Sequence, residues 1–72
     1  MDEYTIDYMV GMYNTAETHV RDAILREFAK RAVIGRSTAT KLRRMGFAPD
    51  ADKIMLAVAR CERLLSFYNS AA

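Results

Sequence analysis

Ile54, Val58, Cys61, Leu65 and Tyr68 follow one another at intervals of four, three, four and three. That spacing keeps five side chains on one stripe of an α-helix, because 3.6 residues complete a turn, whereas a strand of period two would scatter them. A second stripe runs through Ile6, Met9, Val10 and Tyr13 to Ala16, Val20, Ile24 and Phe28. Strand-like alternation is nearly absent, and good helix formers such as Ala, Leu, Met, Arg, Lys and Glu dominate. The chain is therefore expected to be all-α, a compact three- to four-helix bundle forming a single domain over residues 1–72.

Punctuation divides the helices. The first is expected over residues 3–13, with Asp2 and Glu3 at its positive end. Asn14 and Glu17 have the spacing of a capping box, which predicts a restart and a second helix to about Ala32. The apolar stripe passes across this point, so the same residues also fit one bent helix over 3–32. Ser37 is expected to cap a short helix reaching Met45, ended by Gly46 in a left-handed conformation. After Phe47, Ala48 and Pro49, Asp50 is expected to cap a last helix to about Tyr68. The seam on that helix suits the chain's own core or a dimer interface.

Seventy-two residues bury only a modest core, which favours a second copy or a partner. No apolar run is long enough for a membrane span, and MDEYTID is acidic where a signal peptide is basic and then apolar, so a cytoplasmic location is expected. One cysteine excludes an internal disulfide, and with one histidine there is no zinc-ligand cluster. Cys61 reads as a structural thiol, His19 as a surface residue, and Asp50 and Asp52 as first-turn residues rather than a metal pair. No nucleophile motif, carboxylate pair or phosphate loop is present, and neither enzymatic activity nor a cofactor is expected.

The net charge of +2 conceals a partition. Residues 1–25 carry five carboxylates against Arg21 alone, residues 26–44 carry seven cations against Glu27, and the remainder is balanced. A basic block of this kind is the footprint of a polyanion partner. Within it, LREFAKRAVIGRSTATKLRR divides into Ala29, Ala32, Ile34, Ala39 and Leu42 at inward positions and Arg36, Ser37, Thr40, Lys41 and Arg44 at outward ones.

Residues 25–44, and IGRSTATKLRR above all, resemble the helix-turn-helix DNA-binding segment of resolvases, invertases and small regulators. The resemblance implies a helix-turn-helix-like centre with Ile34 as core plug, Gly35 as the small turn residue and the 36–45 helix reading duplex DNA. Arg36, Ser37, Thr38 and Lys41 match its helix opening and following basic contact. Arg36 or Arg44 would grip guanine, while Lys30, Arg31, Lys41 and Arg43 would hold phosphates, with Ser37 and Thr40 beside them. Val33 stands where the turn favours glycine. No recombinase catalytic domain is present, so binding without cleavage is implied.

The expected function is thus that of a small DNA-binding transcriptional regulator or accessory factor, dimeric through its last helix. A rival expectation rests on Tyr4, Tyr8 and Met12, adaptable contact residues on an acidic segment, with Ile54, Val58 and Leu65 on the last helix. It describes a helical protein-interaction module, such as a phage or mobile-element inhibitor covering a functional surface of a host protein.

Overall fold

Three helices account for the chain in a computed structural model that describes residues 3–70. They are α1 (Glu3–Thr15), α2 (Thr18–Arg44) and α3 (Ala48–Ser70). No strand occurs among the described residues. Asp2 lies outside them.

The break after the first helix forms, but not by a capping box. Asn14 is still inside α1, and Glu17 is the N-cap of α2, extended at φ −72° and ψ 162° with no side-chain cap bond. Its carbonyl accepts from the backbone N–H of Val20 and Arg21. Arg21 then seals the joint from the other side. Its Nε donates to the Tyr13 carbonyl at 3.0 Å, and its guanidinium lies 5.2 Å from the centre of the Tyr13 ring. One side chain thus adds a second donor to the Tyr13 carbonyl, which also accepts from the Ala16 backbone N–H, and makes a cation–π contact.

The turn expected at residues 33–36 is not formed, because α2 continues through it for 27 residues. Gly46, at φ 89°, is the described residue with a positive φ, so Gly35 serves the helix as a small residue and not as a turn. Ala32, Gly35 and Ala39 are buried in the seam of α2, and small side chains there allow close approach of another backbone. Ile34 is not a core plug, since it is 53% exposed, and Val33 is exposed too. Ser37 lies within the helix and caps nothing, whereas the Thr40 hydroxyl donates to the Arg36 carbonyl one turn back.

The actual end is at Gly46. Its N–H donates to the Arg43 carbonyl and that of Phe47 to the Leu42 carbonyl, the paired bonds of a Schellman motif. Phe47 also opens α3, its carbonyl accepting from Ala51. Asp50 is therefore a first-turn residue, favourably placed at the positive helix end, and Pro49 precedes the point where backbone donors are needed.

Ile6, Phe28, Val58 and Cys61 are the largest fully buried side chains, drawn from all three helices. Tyr13 stacks on Tyr68 with ring centres 3.8 Å apart, and Arg60 of α3 is paired with Asp7 of α1. Those two contacts advance together along both helices, so α1 runs parallel to α3 and antiparallel to α2. At 1.5 Å per residue α1 is about 20 Å long and α2 about 40 Å, so α1 covers only half of the α2–α3 hairpin.

The α3 seam belongs to this core. Val58 is wholly buried and Ile54 and Leu65 pack partly buried against it, so Val58 is not available to a partner and the seam is not a free dimer face. Among the described residues no helix is long and apolar enough to cross a membrane.

Candidate nucleic-acid interface

The burial of Ile24, Phe28, Ala32, Gly35 and Ala39 fixes the rotation of α2. The opposite face then carries Arg26, Lys30, Val33, Ser37, Lys41 and Arg44, at steps of four, three, four, four and three, all exposed. Eighteen residue steps of helix make this a stripe of about 27 Å. Arg26, Lys30, Lys41 and Arg44 have no carboxylate partner among the described residues, leaving four uncompensated cations in one row.

Other cations of the block are turned away from it. Arg36 donates to Glu62 at 2.5 Å and Arg43 to Asp52 at 2.6 Å, both across to α3. Arg31 Nε lies 3.2 Å from Glu27 Oε1 one turn earlier. That nitrogen is sheltered from water, and the carboxylate is out of line for a hydrogen bond. Exposed pairs of this kind contribute roughly 0–1 kcal/mol each, yet they set where the guanidinium groups point.

The expected contact residues therefore divide. Ser37, Lys41, Arg44 and Lys30 share the outer stripe, whereas Arg31, Arg36 and Arg43 are engaged in ion pairs. Thr40 turns back onto its own helix, and Thr38 lines a groove between α2 and α3. Arg26 belongs to the stripe and was not among the expected contacts. Its interval of four from Lys30 is visible in the sequence, but only an unbroken helix makes that interval meaningful beyond Val33.

Of the residues assigned to a protein partner, Tyr8 and Met12 are exposed on the outer face of α1. Between them a Cβ on Gly11 would meet nothing within 4 Å. The Tyr4 side chain lies outside the described residues.

Cys61 is structural, with no exposed surface. Burial pushes its thiol up from the ordinary 9.0 against the opposing pull of Arg31 and Arg60, and Glu62 adds to the rise. Burial likewise raises the Tyr68 hydroxyl from 10.0, with Tyr13 contributing. Both groups release their protons more readily when unfolded, so their contribution to stability is complete below pH 9 and is lost as pH rises through the folded values. The urea midpoint is expected to hold at neutral pH and fall above pH 9, with native Cys61 reacting far more slowly with a thiol reagent than the unfolded chain. Prompt reaction of the native protein at pH 8 would show the thiol to be accessible.

Among the described residues no group of three or more His, Cys, Asp or Glu is placed to hold a metal ion. No known protein family, curated protein or solved structure matches this chain, and the likeness of residues 25–44 to resolvase segments rests on those residues alone.

Proposed function

We propose that the protein is a small transcriptional regulator or accessory factor that binds duplex DNA through the outer face of α2. The observation that carries this reading is the single row of Arg26, Lys30, Lys41 and Arg44 on one unbroken helix. Unpaired exposed cations are the groups that release counterions from DNA, and a major groove about 12 Å wide admits a helix. Ser37 and Val33, midway along the row, are suited to a base edge and a thymine methyl respectively. The basic segment that resembles a recognition helix acts here as the distal part of α2, without a turn before it.

A triple variant, Lys30→Ala with Lys41→Ala and Arg44→Ala, is expected to lose at least tenfold in affinity for random duplex DNA in a mobility shift near 0.1 M salt. The double variant Arg36→Ala with Arg43→Ala removes cations already committed to α3 and is expected to lose much less. Equal losses in the two variants would remove the α2 stripe as the binding surface.

A protein partner is the second reading, favoured by the exposure of Tyr8 (63%) and Met12 (40%) on the outer face of α1. It expects no DNA retention even at low salt and a complex broken by Tyr8→Asp. A homodimer in either reading uses faces other than the Val58–Cys61 seam, and the outer surfaces around Tyr8, Leu56 and Phe67 are available for it.

A further inference from the structure

The two joints of the chain differ in what enforces them. Between α2 and α3 the turn is built from its own residues, with Gly46 at φ 89°, the paired Schellman bonds and Pro49 just beyond. Between α1 and α2 only Ala16 and Glu17 lie outside a helix. Both are strong helix formers, and neither Gly nor Pro occurs from Asn14 to Thr18. Glu17 caps α2 without a side-chain bond. The apolar stripe crosses the joint in helical register, through Met9, Tyr13, Ala16, Val20 and Ile24. Local preference at residues 16–17 is therefore for helix, and the docking of α1 onto the hairpin enforces the break against it.

We propose that α1 is exchanged between two copies of this chain, in a dimer where residues 3–44 form one continuous helix. Straightening gives up the Arg21 bonds to the Tyr13 and Asn14 carbonyls, at 3.0 and 3.5 Å, and the cation–π contact with the Tyr13 ring. The helix ladder replaces the bonds, because the N–H groups of Glu17 and Thr18 then donate to the same two carbonyls. A straightened α1 projects beyond its own hairpin and uncovers the seat formed by Phe28, Val58 and Cys61.

The occupant that fits that seat is the α1 of a second copy. It returns Ile6 and Met9 to the core, Asp7 to Arg60 and Tyr13 to Tyr68, now between chains. Every contact outside the hinge is kept, so the closed and exchanged forms differ only at the joint and in the entropy of association. The topology closes on itself. Because α1 runs antiparallel to α2, two straightened chains lie antiparallel about a two-fold axis and cross near their small Ala16 residues. Each long helix then spans about 63 Å. Docking of two closed chains through their outer surfaces is a different event, which leaves each α1 on its own hairpin.

Sedimentation equilibrium of the full chain is expected to show a mass rising from 8.2 kDa toward twice that value between micromolar and millimolar concentration. Glu17→Pro suits the closed chain, where residue 17 has φ −72° and an extended ψ, and opposes a helix through the joint. Its dimer should dissociate at least tenfold more readily. Arg21→Ala removes the latch of the closed form and should dimerise at least threefold more tightly. Exchange itself is read by mixing Asp7→Arg with Arg60→Asp. Within either closed variant residues 7 and 60 carry like charge, whereas an exchanged heterodimer makes both 7–60 pairs opposite. The mixture should hold at least threefold more dimer than either variant alone at the same total concentration. A native chain still monomeric at millimolar concentration, equal dimerisation of the native chain and Glu17→Pro, or a mixture no more dimeric than its components would each overturn the proposal. None of these outcomes depends on whether the protein binds DNA.

Discussion

Ile34→Pro is expected to cost at least about 3 kcal/mol, the penalty for proline in a helix interior. A domain of this length has roughly 4–11 kcal/mol in total at 0.05–0.15 kcal/mol per residue, so the loss is a large share of its stability. The cost comes from the backbone. Residue 34 lies deep within α2, where its N–H closes the i−4 ladder, while its side chain is half exposed and contributes little packing. Ile34→Ala is the matched control, expected to cost well under half as much. A chain with a tight turn at residues 33–36 would accept proline there with little change, so equal urea midpoints for the two variants would contradict an unbroken α2.

Phe28→Ala is expected to cost about 3–5 kcal/mol, from lost transfer energy and the cavity left behind. Phe28 is fully buried in a core to which all three helices contribute. Phe67→Ala removes the same ring from a site 66% exposed and is expected to change stability by less than about 1 kcal/mol. Chemical denaturation of both variants checks the difference. A small loss for Phe28→Ala would mean that the core does not lie where α1 closes on the hairpin.

The helical periodicities of the sequence carry most of the fold. The four-three-four-three stripe of α3 is the buried face observed, and the apolar stripe from Ile6 to Phe28 maps onto α1 and the first half of α2. Gly46 ends α2 in the left-handed conformation that its position predicts. Local signals misplace the other boundaries. Ser37 and Asp50 are good caps in isolation, but the small residues Ala32, Gly35 and Ala39 continue the buried stripe without interruption and hold the backbone in one helix. Val33, a β-branched residue where a turn favours glycine, is the local sign that no turn forms.

The same substitution of helix for turn redistributes the basic residues. Composition alone locates the cations between Arg26 and Arg44, but it cannot separate those answered by Glu62 and Asp52, which are distant in sequence and close in space. The division of labour between a paired flank and an unpaired stripe depends on how α3 packs against α2.

The salt dependence of binding to random duplex DNA tests the assignment of the α2 stripe most directly. Each phosphate neutralised contributes about −0.9 to the slope of log affinity against log salt. Four stripe cations therefore predict a slope near −3.6 for the native protein, reduced to about −0.9 by Lys30→Ala, Lys41→Ala and Arg44→Ala together. A native protein that shows no binding at low salt, or a slope unchanged in the triple variant, would contradict the account.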